Sequence, residues 1–175
     1  MRHPAVEFAT LRCIGQTDVD LSTAGKSSLN SLADQVLSSD LKRCRLLAEQ
    51  IADRLRITPV FDPIWREIDF GCWENRTWDA IQREEAEAFS EWVADFVTTP
   101  APGGESFLQL QKRALTAISK IDPISSNVLI VTHAGIIRAA YSAFANLSLS
   151  RAFDYNIQYG GMLHLRKDGP CFCKC

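Results

Sequence analysis

Histidine is scarce in this chain, with three in 175 residues, at positions 3, 133 and 164. None of them share a His-x-x-x-His spacing and the aspartates do not cluster, so the sequence shows no helix-borne metal-hydrolase pattern. Long apolar runs are also missing: nothing approaches the roughly 20 residues of a membrane span, and the N-terminus has no signal-peptide core. Positive charge is not in excess. The 19 Lys and Arg against 21 Asp and Glu give a net charge of −2 without a basic stripe, which excludes nucleic acid or an anionic membrane as main partner and leaves room for a local anion site. No internal repeat is present. Six cysteines, at 13, 44, 72, 171, 173 and 175, form no Cys-x-x-Cys, so neither a redox motif nor a zinc knuckle is indicated. Cys171-x-Cys173-x-Cys175 is the one set that invites a soft metal, and a loose end with no fourth ligand nearby argues against it. These absences describe a soluble, cytoplasmic chain of one domain, or of one domain with a small inserted cap.

What is present alternates between strand and helix patterns, which defines an α/β fold. A short first helix is expected at 23–33, then a strand over Gln35-Val36-Leu37-Ser38. Ser39 or Asp40 is placed to cap a helix whose apolar stripe is Leu41, Cys44, Ala48, Ile51 and Leu55, with Arg43 in its first turn. Thr58-Pro59-Val60-Phe61 reads as an edge strand because of its proline. The stretch from Trp65 to Glu74 reads as a loop with anchored aromatics. One or two helices follow at about 77–97, and Pro100-Ala101-Pro102-Gly103-Gly104 breaks the chain before another helix opens near Glu105-Ser106. Val128-Leu129-Ile130-Val131 is a buried strand, followed by a helix at about 135–145 and a last strand at about 161–166 that finishes the sheet.

His133 therefore leaves the end of a buried strand, where open α/β sheets place their ligands. Main-chain N–H groups near Ala134 and Gly135 are expected to face a bound anion, and a protonated His133 would add charge. A neutral His3 can attack phosphorus while the guanidinium forks of Arg2 and Arg43 hold the oxygens. Glu67 is the candidate to protonate the leaving alkoxide, since a carboxyl desolvated beside an anion holds its proton more tightly. Plain structural roles exist for the same residues. Glu67 can pair with Arg66 or Arg76, His164 alternates with Leu163 and Leu165 as an outward-facing strand residue, and the four tryptophans can serve packing, with one or two lining a pocket.

Taken in order, Arg2-His3, Ser39-x-x-x-Arg43, Glu67, Phe70-Gly71-x-Trp73-Glu74, Pro102-Gly103-Gly104-Glu105-Ser106 and His133-Ala134-Gly135 resemble the histidine phosphatase, or phosphoglycerate-mutase-like, superfamily across nearly the whole chain. The resemblance implies a three-layer sandwich with a mostly parallel sheet flanked by helices, and residues 77–104 as a small helical cap insertion. It implies metal-free phosphomonoester hydrolysis without a cofactor. His3 would carry the phosphoryl group, Glu67 would act as acid and then base, and Arg2, Arg43 and His133 would bind phosphate, helped by Gln16 and Ala134. The short cap with Phe89-Ser90-Glu91-Trp92 is most similar to the α-ribazole phosphatase branch, which implies α-ribazole 5'-phosphate as substrate and a place in cobalamin biosynthesis. A broad small-molecule phosphatase, a metal hydrolase built on His3, His133 and Glu67, and an impaired relative that only binds phosphorylated ligands are the competing readings. The partner is a small phosphate ester, with a homodimer left open.

Three positions depart from the family pattern. The first central strand is missing before Arg2, so either upstream residues lie outside this sequence or the sheet is incomplete and the terminus frays. Pro4 stands for a glycine and biases His3 toward an extended conformation. Ala9 stands for a phosphate-binding asparagine, for which Gln16 is the substitute donor.

Overall fold

The computed structural model describes residues 1–6, 12–21, 33–121, 127–166 and 169–173. The expected first helix and Ala9 lie outside the described residues, apart from Ala33. Among the described residues ten regular elements follow in chain order: β1 (Gln35–Ser38), α1 (Lys42–Leu55), β2 (Val60–Phe61), α2 (Trp78–Glu84), α3 (Ala86–Ala94), α4 (Phe107–Ile118), β3 (Val128–Val131), α5 (Ala134–Phe144), β4 (Met162–Arg166) and β5 (Gly169–Cys173). Short 3-10 turns lie at Pro63–Trp65, Gly71–Trp73 and Leu149–Asp154.

The three-stranded sheet has the order β2-β1-β3 and is parallel throughout. Strand residues alternate between its faces with period two. Val36, Leu129 and Val131 pack with Cys44, Leu47, Ala48 and Ile51 of α1. Leu37 and Ile130 turn the other way, onto a cluster that includes Phe107, Leu110 and Ala114 of α4 and Ile136 and Ala139 of α5. That alternation makes the three-layer sandwich. β2 is an edge strand, shorter than expected, and Pro59 stands just before it. α1 starts at Lys42 with Leu41 as its cap residue and no side-chain cap bond. Asp40 does not cap it, because it pairs with Arg66; Ser39 Oγ faces His133 and accepts from the main chain only the Leu41 nitrogen, at 3.3 Å, while Asp18 Oδ1 accepts the Lys42 nitrogen at 2.8 Å. α4 opens on a reciprocal capping box, in which Ser106 Oγ accepts from the Gln109 nitrogen and Gln109 Oε1 accepts from the Ser106 nitrogen.

The end of the chain differs from expectation. β4 does not extend the parallel sheet; it pairs antiparallel with β5, His164 opposite Cys171 in register. A hairpin partner was invisible beforehand because Gly169-Pro170-Cys171-Phe172-Cys173 carries two turn-forming residues and no apolar alternation.

No named strand forms at the N-terminus, but Met1 to His3 occupy the strand position beside β3. The Met1 nitrogen donates to the Ile130 carbonyl at 2.7 Å, Thr132 nitrogen to Met1 oxygen at 2.8 Å, and His3 nitrogen to Thr132 oxygen at 3.0 Å. On the other side, the Arg2 nitrogen donates to the Gly161 carbonyl at 2.9 Å. The expected loose end is thus bonded along both edges, and Met1 and His3 are each only 5% exposed. Among the described residues no helix is long and apolar enough to cross a membrane.

Candidate active site

The site forms where the parallel strands end. β3 delivers His133, β1 delivers Ser39 and then Arg43 one turn into α1, and the N-terminal segment delivers Arg2 and His3. The His3 and His133 ring centroids are 5.1 Å apart.

His3 is held in one tautomer. Its Nδ1 lies 2.7 Å from the Pro4 carbonyl, an acceptor only, so Nδ1 carries the hydrogen and donates it. Nε2 is left with its lone pair. Burial first, then the Arg43 and Arg2 charges, push the His3 pKa down to about 3 against the Pro4 bond, so the ring is neutral at neutral pH. Pro4 supplies the orienting acceptor as well as the extended bias.

His133 is fully buried and differs from expectation. Arg43 Nε donates to its Nδ1 at 3.2 Å, so Nδ1 holds a lone pair and Nε2 carries the hydrogen, donated to Ser39 Oγ at 2.9 Å. Burial and the surrounding cations Arg43 and Arg113 hold its pKa well below the usual histidine value. The expected imidazolium is therefore a neutral ring, because one cation already touches it and no carboxylate compensates for desolvation. Positive charge in the site comes from guanidinium groups.

Arg43 is 2% exposed and held from three sides: besides the Nε bond to His133, Nη1 donates to the Thr17 carbonyl at 2.8 Å and Nη2 to the Gly15 carbonyl at 2.5 Å, which leaves one hydrogen on each terminal nitrogen for a ligand. Arg2 donates through Nη1 to the Ile157 carbonyl and lies 3.7 Å from the Tyr159 ring centroid, a cation–π distance. Among the described residues its buried Nε has no hydrogen-bond partner. Tyr159, 40% exposed, also faces the His3 ring, with centroids 5.7 Å apart.

Glu67 pairs with neither Arg66, which is bound to Asp40, nor Arg76, which is bound to Glu84 and Glu85. Its Oε2 accepts the Gly135 nitrogen at 3.1 Å and its Oε1 the Ile68 nitrogen at 3.1 Å. The first turn of α5, expected to present N–H groups to an anion, thus has the Gly135 donor already taken by a carboxylate. Ala134 is buried beside it. Gln16 sits against the same loop, its Nε2 donating to the Glu67 carbonyl at 3.3 Å and its Oε1 accepting from Arg66 at 3.4 Å.

Two supports went unforeseen as such. Glu74 accepts main-chain hydrogens from Gly15, Gln16, Thr17 and Phe70 at 2.7–3.2 Å, fixing the loop whose carbonyls hold Arg43. Arg113 donates to the carbonyls of Ile64, Arg66 and Glu67 at 2.6–3.4 Å while pairing with Glu105 at 2.6 Å. Glu74 was visible as a family motif position; Arg113 had no local signal. Among the described residues no group of three or more His, Cys, Asp or Glu is placed to hold a metal ion. In particular, His3 Nδ1 and both His133 nitrogens are engaged with protein atoms.

Fold and site together define the class: an α/β protein with a cationic site bearing two histidines at the carboxyl end of its parallel strands. Residues 1–172 match the histidine phosphatase superfamily (branch 1), and the chain belongs to that family. It is similar to an adenosylcobalamin/alpha-ribazole phosphatase of Salmonella typhimurium, 27% identical over 129 residues, which cover 73% of this chain and 64% of that protein. It also resembles phosphoserine phosphatase 1 of Hydrogenobacter thermophilus, 28% identical over 166 residues, 89% of this chain and 79% of that one. In fold it matches an alpha-ribazole phosphatase from Shigella flexneri with a TM-score of 0.86 at 20% identity, over 99% of this chain and 92% of that one. The matched length is thus less than two thirds of the Salmonella protein.

Proposed function

We propose that this protein is a metal-independent phosphomonoesterase that works through a phosphohistidine on His3 and accepts small-molecule phosphate esters. The observation that carries this reading is the His3 tautomer: Nδ1–H is committed to the Pro4 carbonyl, leaving the Nε2 lone pair on a ring that stays neutral. In the first step Nε2 attacks phosphorus, the ester P–O bond breaks, and Glu67 gives its proton to the departing alkoxide. In the second, the Glu67 carboxylate takes a proton from water, whose oxygen attacks phosphorus and breaks the N–P bond. Arg2 and Arg43 hold the phosphoryl oxygens through both steps, which is where preorganised charge contributes most. His133 acts as a neutral fixture for Arg43.

Residues 77–104 serve as the cap that selects the alcohol. Support comes from the aromatic cluster of Phe70, Trp73, Trp78, Phe89 and Trp92, which anchors α2 and α3. α-Ribazole 5'-phosphate is one substrate to test, given the likeness to the Salmonella protein; the likeness to a phosphoserine phosphatase favours a wider range. The experiment is single-turnover hydrolysis of a labelled ester with excess chelator, quenched in base, where a phosphohistidine survives. Label on the protein that His3→Ala lacks is the expected result. Loss of turnover on chelation, or undiminished turnover by His3→Ala, would sink the mechanism.

A further inference from the structure

Two groups of arginines stand out in this chain. Arg66, Arg76, Arg83, Arg113 and Arg151 each pair with a carboxylate. Arg43 is buried and Arg2 and Arg138 are half-buried; loss of water contact is in each case the main cause of a lowered pKa, and none of the three forms an ion pair among the described residues. A desolvated cation without a counter-ion is costly unless a ligand supplies one. Two guanidinium groups already answer the transferred phosphoryl group. The third is surplus to it.

Arg138 lies on α5, one turn beyond Ala134, and is held along the same segment as Arg2. Its Nε donates to the Tyr155 carbonyl at 3.1 Å, while Arg2 Nη1 donates to the Ile157 carbonyl and stacks on Tyr159. Residues 155, 157 and 159 thus present carbonyl, carbonyl and ring to the two arginines. Carbonyls two residues apart are separated by at most about 7 Å, so the two guanidinium groups are anchored to nearby points of one segment. Both Glu67 and Arg2 act electrostatically on Arg138, in opposite directions. Its carbon Cζ sits 5.1 Å from the Phe153 ring centroid, a cation–π distance. Nε is its protein-bonded donor; among the described residues the two terminal nitrogens have no protein acceptor.

We propose that Arg138 is a specificity-determining residue that binds a carboxylate carried on the alcohol portion of the substrate. One guanidinium with two unused terminal nitrogens matches the two oxygens of one carboxylate, whereas a second phosphate would call for more than one cation. This rests on the phosphomonoesterase reading for the place of the phosphate, and binding of unreactive ligands separates the two. The probes are 3-phosphonopropionate and propylphosphonate, equal in length and differing in the carboxylate, titrated calorimetrically into the intact protein. The carboxylate-bearing phosphonate should bind about 10–100-fold more tightly, the range of a charge-assisted hydrogen bond. Arg138→Gln should bring the ratio to within about 2-fold while leaving propylphosphonate unchanged, and Arg138→Lys should keep part of the preference. Equal binding of the two probes by the wild-type protein overturns the proposal, as does a variant that weakens both alike, which marks a purely structural arginine. A preserved ratio in a protein that hydrolyses no ester would instead overturn the phosphomonoesterase reading alone.

Discussion

Gly135 and Glu67 are in such close contact that the Gly135 nitrogen donates to Glu67 Oε2 at 3.1 Å, and a methyl group on Gly135 would lie 2.1 Å from Glu67 Oε1. The glycine at the start of α5 is therefore a space reserved for the proposed acid. The obstructing atom is the tip of a flexible side chain, so Gly135→Ala can be accommodated by moving the carboxylate rather than the helix. We expect kcat to fall on the order of 10²-fold, within the usual share of a general acid, with the unfolding free energy from urea titration lowered by about 1 kcal/mol or less. A large loss of stability with little loss of kcat would show that the glycine serves packing only.

Glu74 reaches Arg43 indirectly. It accepts main-chain hydrogens from residues 15, 16 and 17, and the carbonyls of Gly15 and Thr17 accept from Arg43. Glu74→Gln keeps the shape but loses the charge and offers only one accepting oxygen, leaving donors without partners at about 1–3 kcal/mol each. Destabilisation of about 3 kcal/mol in urea is expected, together with weaker binding of inorganic phosphate by calorimetry. Unchanged phosphate affinity in a folded variant would separate the loop from the arginine.

The elements around this site were legible where one residue's chemistry decided the matter. Val128 to Val131 could only be a buried strand, which put His133 at its end; the apolar stripe of α1 put Arg43 in the first turn. Legibility stopped where a partner distant in sequence decides. The state of His133 depends on Arg43 Nε arriving from ninety positions upstream, and without that donor an imidazolium beside an anion was the natural expectation. Asp40 looked like a cap until Arg66 claimed it. β5 escaped because its residues carry no apolar alternation and its pairing with β4 is set by backbone register. The Met1 to His3 segment has a similar lesson: three residues are too few to show a strand pattern, yet bonds to Ile130, Thr132 and Gly161 hold them.

The two buried histidines set a direction for acid sensitivity. The folded His3 pKa, about 3, lies below the ordinary 6.5, and that of His133 is lowered as well. Between about pH 6.5 and pH 3 the unfolded chain binds protons that the folded chain refuses, so acidification favours unfolding. Each such histidine adds up to about 1.4 kcal/mol per pH unit to the slope. Above about pH 6.5 both states are neutral and this contribution is constant. Urea midpoints at pH 7.5, 6.0 and 5.0 should fall in that order, and His3→Asn should shallow the fall. A stability maximum at pH 5 would contradict neutral burial of the pair.

Arg113 holds the stretch that presents Glu67. Its Nη1 donates to the carbonyls of Ile64 and Arg66 at 2.6 and 3.0 Å, while Nε and Nη2 grip the two oxygens of Glu105 at 3.2 and 2.6 Å. Glu105 Oε2 also accepts the Asp69 nitrogen at 3.1 Å, so residues 64–69 are fastened at both ends by one ion pair. A lysine keeps the charge but not the fork, and cannot serve two carbonyls and a carboxylate in fixed directions. Arg113→Lys should cost about 1–2 kcal/mol of stability, and the loosened loop should reduce kcat about 10-fold with KM little changed, because the proposed mechanism assigns ground-state phosphate binding to Arg2 and Arg43. Since proximity effects fall steeply with small misplacements, kcat should lose more than stability alone explains. An Arg113→Lys enzyme with wild-type kcat and lowered stability would show that Glu67 is positioned by Gly135 and Ile68 alone.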